Sequence, residues 1–189
     1  EVPAGWERAA AAVDRDLPPG SRALVLPGQV FPVYRWGGTQ DAILPALADR
    51  PVAVRGVVPY ADLRAVDLLW STDALVQQRR TLPGQLAPLI DLMGAGAVVA
   101  ARDDDRDRSG AVAAGVAAEQ LRVGAGLGPA ETDAVAGRRF GAVRVFPWRG
   151  AGMVRVRPVW GPVVVDGSAA TVAALAGLGA LEGDRALLH

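Results

Sequence analysis

A chain of 189 residues with a formal net charge of +0 is long enough for one domain with a buried core. It has no global field to draw it onto nucleic acid, so no nucleic-acid partner is expected. There is no Cys, Lys or Asn, and the only His is His189 at the last position. These absences exclude thiol catalysis, disulfides and Cys-ligated zinc. They equally exclude P-loop and Schiff-base lysines, and they leave no interior His for a catalytic triad or a metal centre. Arg in place of Lys, with abundant Ala, Gly, Val and Pro, is what a GC-rich genome encodes. No apolar run approaches the ~20 residues needed to span a bilayer.

In chain order, "GWERAAAAVDRD" predicts an Ala-rich helix over residues 5–16, closed by Pro18, Pro19 and Gly20. "RALVLPG" (22–28) reads as a buried strand that Pro27-Gly28 ends. "YRWGGTQDAILPALADRP" (34–51) is neither helix nor strand, because its glycines release the backbone and its prolines remove donors; it is a shaped loop. "PVAVRGVVP" (51–59) is a short strand. Over 62–78, Leu63, Val66, Trp70 and Ala74, with Leu69 and Val76 alongside, predict an amphipathic helix. Leu86, Leu89, Ile90 and Met93 mark another helix, which a glycine turn joins to the strand "AVVAA" (97–101).

The charged run "RDDDRDRSG" then leads to an Ala-rich helix over about 112–122. In "AVRVFPWRGAGMVRVRP" (142–158), Val143 and Val145 alternate with Arg144, and Val154 and Val156 with Arg155 and Arg157. That pattern predicts an antiparallel hairpin with a valine face and an arginine face. The C-terminal part reads as the strand "PVVV", an Asp-Gly-Ser turn with Ser168 as helix N-cap, a helix, and a last strand "RALLH" parallel to the first. The expected fold class is α/β: a mainly parallel, Rossmann-like sheet flanked by helices with one antiparallel hairpin, in a single soluble domain over 1–189.

Most motif tests fail. "GAGLGP" (124–129) and "GLGALE" (177–182) carry Pro129 and Glu182 where a dinucleotide fingerprint needs glycine. Asp103, Asp105 and Asp107 have calcium-loop spacing, but Arg108 replaces the required Gly and Ala114 the bidentate Glu, so no metal site is expected and the run reads as a solvated loop. Arg138, Arg139, Arg144, Arg149, Arg155 and Arg157 could form a basic strip. Within it Arg144, Arg155 and Arg157 are candidates for contact with a membrane surface or a phosphate, against the alternative of a solvated sheet face. The shaped loop offers two readings. Trp36 beside Arg35, Thr39, Gln40 and Asp41 suits a sugar, whose apolar face an aromatic ring covers. Alternatively Trp36 and Tyr34 bury against the sheet while Arg35 pairs with Asp41.

The same loop carries a resemblance. "LVLPGQVFPVYRWGGTQDAILPALADRPVAVRG", followed by a helix and "LMGAGAVVAARDD", resembles the extracytoplasmic region of actinobacterial α-(1→3)-arabinofuranosyltransferases, membrane glycosyltransferases of the GT-C type. The matching elements are Leu26 to Gly28, Trp36-Gly37 with Asp41, Arg50-Pro51 and Arg102-Asp103; "VVVDGSAATVAALAGLGAL" also fits, while residues 108–138 match least.

The resemblance implies a parent enzyme that moves arabinofuranose from a polyprenyl-phosphate donor to cell-wall arabinan, with its catalytic acid on a loop outside this chain. The chain is then expected to be a piece of a larger membrane protein, since it begins at Glu1 and ends in an expected strand. It would need no cofactor and no catalytic residue of its own. It would pack on the membrane-embedded part of the parent on the periplasmic side, or guide the acceptor glycan. Arg35, Trp36, Thr39 and Asp41, with Arg102, Asp103 and Asp104, are the expected glycan or interdomain contacts. Two other classes stay open: a freestanding Rossmann-like enzyme working through carboxylates, and a scaffold with a broad apolar docking patch.

Overall fold

The computed structural model describes residues 1–56, 62–126, 137–148, 152–154, 162–181 and 187–188. Its frame is a five-stranded sheet in the order β4-β1-β5-β7-β6, formed by β1 (Arg22–Val25), β4 (Val52–Ala53), β5 (Ala95–Ala101), β6 (Arg138–Phe140) and β7 (Val143–Pro147). β1 pairs in parallel with both β4 and β5, and the β6-β7 hairpin then adds two antiparallel strands beyond β5. The expected α/β class is therefore what the chain adopts.

Period-2 alternation divides the core between the two faces. Ala23, Val25, Ala97, Val99, Val143 and Val145 meet helix α1 (Ala4–Asp16), which presents Trp6, Ala9, Ala10 and Val13. Alanine along that stripe lets the helix lie close to the sheet. Gly5 takes this furthest, because a Cβ there would fall 2.6 Å from the carbonyl oxygen of Phe140. On the opposite face, Leu24, Leu26, Val98 and Ala100 are covered by α3 (Leu63–Gln77), α4 (Leu86–Leu92), α6 (Ala114–Gly124) and α7 (Ala169–Gly177).

Several local expectations are corrected. Helix α3 starts one residue late, with Asp62 accepting the Arg64 N–H at 2.9 Å as its cap. Its buried stripe is Leu69, Thr72, Asp73 and Val76, whereas Leu63 is 73% exposed and Val66 half-buried. The core thus takes the stripe on the neighbouring side of the helix. β7 does alternate buried Val143 and Val145 with half-buried Arg144, but its hairpin partner is β6. β5 occupies its other edge, and the expected return strand over 154–157 falls, except for Val154, outside the described residues. Arg149, Arg155 and Arg157 lie outside the described residues.

The basic strip is split by the same register: Arg138 pairs with Asp16 on the α1 side, while Arg139 stands opposite Arg144. Ser168 sits at the N-cap of α7 without capping it; Asp67 of α3 accepts the Ala169 N–H at 2.9 Å instead. β8 (Val163–Val164) and β9 (Leu187–Leu188) pair in parallel as expected, in a two-stranded sheet of their own.

Candidate functional site

The parallel strands β1, β4 and β5 all end at one rim of the sheet, where open α/β folds place ligands. The loop 29–41 docks there. Its small hairpin of β2 (Val33–Tyr34) and β3 (Gly37–Gly38) lies antiparallel to the segment after β5. The Arg35 N–H donates to the Asp103 carbonyl and the Asp105 N–H to the Val33 carbonyl, both at 2.8 Å. The charged run is therefore not uniformly solvated. Asp103 is only 8% exposed, and Asp105 caps the short helix α5 (Arg106–Ser109).

Asp103 is the node of this junction. Its Oδ2 accepts two indole N–H groups, from Trp6 at 2.9 Å and Trp36 at 2.7 Å, while its Oδ1 is buried without a partner among the described residues. Tyr34 lies between the two indoles, stacked on Trp36 at 4.8 Å and edge-on to Trp6 at 5.4 Å. Burial foremost, with the charges of Asp104 and Asp103 adding, pushes the Tyr34 hydroxyl up to about 12 against a backbone bond at Ile43.

Asp104 accepts a bond from Gln29 Nε2, and Gln29 Oε1 in turn takes the Val33 N–H at 3.1 Å, so one side chain ties both ends of the turn. Desolvation, reinforced by the charge of Asp103, raises the Asp104 carboxyl to about 6 against Gln29 and the charge of Arg35.

The residues singled out from sequence divide into three places. Arg35, Trp36, Asp103 and Asp104 come together at the node. No Arg35–Asp41 ion pair forms; Arg35 is exposed and its charge acts on Asp104. Thr39 closes the loop, donating its N–H to the Pro32 carbonyl at 3.0 Å and its hydroxyl to the Asp41 carbonyl at 2.7 Å. Asp41 and Gln40 instead line an open groove of about 1070 Å³ along the outer edge of β4, walled by Phe31, Val52, Val66 and Trp70. Arg102 points away from both, into a small cleft beside α6.

Sequence reasoning missed Trp6 and Gln29 altogether, and also a second node. Asp73, 0% exposed, accepts the Gly28 N–H at 2.8 Å and pairs with Arg55 at 2.9 Å, while Gln77 Nε2 donates to the Gly28 carbonyl at 2.9 Å. Arg55 lies over the Trp70 ring at 4.2 Å. Burial raises the Asp73 carboxyl despite the Gly28 bond and Arg55. Gly28 is needed here because a Cβ would fall 2.9 Å from Cβ of Arg55, which gives the Leu-Pro-Gly signature a physical meaning. Among the described residues no group of three or more His, Cys, Asp or Glu side chains could hold a metal ion.

The fold and these nodes define a three-layer α/β domain whose loop after β1 is pinned to the end of β5 by buried acid–indole bonds. The chain belongs to the α-(1→3)-arabinofuranosyltransferase family: the family model described as "Alpha-(1->3)-arabinofuranosyltransferase, N-terminal GT-C domain" matches residues 1–189. Over 108 residues it is 34% identical to the alpha-(1->3)-arabinofuranosyltransferase of Mycolicibacterium smegmatis, covering 57% of this chain and 8% of that protein.

The same fold occurs in the cryo-EM structure of arabinofuranosyltransferase AftD from Mycobacteria, with TM-score 0.70 and 24% identity over 93% of this chain and 15% of that one. A structure of a mutant of that enzyme matches with TM-score 0.70 and 23% identity, again over 93% and 15% of the two chains. The chain thus spans under a sixth of the length of the relatives it matches. No helix among the described residues is long and apolar enough to cross a membrane.

Proposed function

We propose that this chain is a non-catalytic α/β module of a larger, polyprenyl-phosphate-dependent arabinofuranosyltransferase of cell-wall arabinan synthesis, and that its β4-edge groove guides the acceptor glycan. On this reading it lies on the extracytoplasmic side, packed on the membrane-embedded part of the parent enzyme. The observation that carries the proposal is the groove itself. Binding sites of small ligands span about 300–1,000 Å³, so about 1070 Å³ accommodates more than one furanose ring. Its wall combines aromatic surface, from Phe31 and Trp70, with hydrogen-bonding groups of Gln40, Asp41 and Arg22. Aromatic faces cover the apolar face of a sugar while polar neighbours meet its hydroxyls.

The absence of Cys and Lys, with the single His at position 189, supports a guiding role over chemistry. The desolvated acids Asp73 and Asp104 line neither the groove nor the α6 cleft, and each is engaged in holding a loop. Calorimetric titration of the chain with arabinofuranose oligosaccharides tests the reading. Weak saturable binding that Phe31→Ala and Asp41→Ala abolish is expected; both side chains are exposed, so the fold survives. A folded chain that takes up no arabinan would leave only the structural role.

A further inference from the structure

We propose that residues 29–41 form a flap carrying one wall of the glycan groove, and that the charge on the neighbouring Asp103 and Asp104 sets how often the flap lifts. The inference rests on the reading of the groove as a glycan site. Both ends of the flap are fixed. The Gly28 backbone is held by Asp73 and Gln77, and beyond Asp41 the chain is anchored by Leu44, which is 1% exposed. Between these points the segment closes on itself, through the β2-β3 hairpin, the Thr39 N–H on the Pro32 carbonyl and the Thr39 hydroxyl on the Asp41 carbonyl. A segment bonded internally and fastened at two ends swings as a unit about those ends. Phe31, Gln40 and Asp41 of this unit line the groove, so lifting it takes one wall away.

The bonds that fasten the flap converge on the short segment after β5. Asp103 takes the Arg35 N–H on its carbonyl and the Trp36 indole N–H on its carboxylate, Asp104 takes Gln29 Nε2, and Asp105 gives its N–H to the Val33 carbonyl. Closing the flap therefore covers two adjacent carboxylates, and lifting it returns them to water. The charged or titratable groups that face Asp104 are Asp103, Arg35 and Tyr34, and the Arg35 side chain is itself exposed. Burial foremost, then the charge of Asp103, holds the Asp104 carboxyl at about 6 against Gln29 and Arg35, whereas an ordinary Asp titrates near 3.8. The closed flap thus binds the proton more tightly than the lifted one. Its extra stability is complete below about pH 4 and is lost as pH rises to about 6. Tyr34, 6% exposed and stacked on Trp36, keeps the flap closed most of the time on both sides of that window. Ionisation changes the frequency of lifting rather than the resting position.

Amide hydrogen exchange of the whole chain tests this. The Arg35 and Asp105 N–H groups cross the junction, so their exchange, corrected for its intrinsic pH dependence, reports lifting. Between about pH 5 and about pH 7.5 their opening constant should rise about 3–10-fold in the wild type. In Asp104→Asn, which keeps an oxygen for Gln29 Nε2, that rise should shrink to less than about twofold. Opening that is independent of pH in the wild type, or a rise that survives in the variant, would overturn the proposal. A second series with excess arabinofuranose oligosaccharide separates the flap from the glycan reading. A glycan seated against Phe31 and Asp41 favours the closed wall, so both amides should gain protection. Protection unchanged by the oligosaccharide, with the pH dependence intact, would refute the glycan reading and support the flap alone.

Discussion

Replacing Asp104 by Asn should stabilise the chain, although it removes a charged member of the loop junction. The ionised carboxylate is disfavoured by burial and by Asp103, and Gln29 and Arg35 only partly offset this, so it gains protons near pH 6 where an ordinary Asp does so near 3.8. At about 1.36 kcal/mol per pH unit, the ionised form is penalised by at most about 3 kcal/mol. Partial exposure of the side chain screens this to about 1–3 kcal/mol. The sign follows from proton linkage: the folded state holds a proton that the unfolded chain releases near pH 4, so this group's contribution falls as pH rises from about 4 to about 6 and is flat above. Asn retains an oxygen that accepts from Gln29 Nε2 and has no proton to lose.

Urea unfolding followed by tryptophan fluorescence, run on both proteins at a series of pH values, reads the difference directly. Asp73 drifts in the same direction in both proteins and cancels. The variant should exceed the wild type by about 1–3 kcal/mol at pH 8, and the gap should close as pH falls below about 4. A variant that is less stable at pH 8 would mean that Arg35 and Gln29 outweigh burial, and would refute the reasoning.

Trp36→Phe should cost about 1–2 kcal/mol, because one of the two indole bonds to Asp103 Oδ2 is lost while the stack on Tyr34 persists. Asp103→Leu should cost more, about 2–4 kcal/mol, since both indole N–H groups lose their acceptor; equal costs in the two variants would argue against a shared acceptor. Asp73→Ala leaves the Gly28 N–H without its acceptor and the partly exposed Arg55 without its partner, and should destabilise by about 2–4 kcal/mol, seen as a lowered urea midpoint. Gly5→Ala should force α1 off the β6-β7 turn at a cost of about 1–3 kcal/mol, read as a melting curve shifted to lower temperature.

The sequence made the helices and the apolar strands legible because their signals are local: alanine and leucine spacing for α1, α4 and α6, and uninterrupted small apolar residues for β5. It could not tell which face of α3 enters the core, since the buried stripe carries Thr72 and Asp73, and only the folded partners of Asp73, the Gly28 N–H and Arg55, make its burial tolerable. The partner of β7 was missed for a related reason. "RRF" at 138–140 has too few residues to show a period, whereas "MVRVR" shows one and drew the expectation to itself.

At the site, Trp36 and Asp103 were each singled out, but their bond joins positions 67 residues apart and depends on Trp6, 97 residues from Asp103. No spacing rule reaches that far. The Leu-Pro-Gly marker was noticed without its cause, because Asp73 reads as an ordinary helix acid until the fold brings it beneath Gly28.

The claim that the groove guides a glycan is tested most directly by mapping amide resonances of the chain during titration with an arabinofuranose oligosaccharide. The account predicts saturable shifts confined to the groove, at Phe31, Gln40, Asp41, Val52 to Val54 and Ala65 to Trp70, with the α6 cleft undisturbed. Shifts absent throughout, or clustered away from the β4 edge, would contradict it.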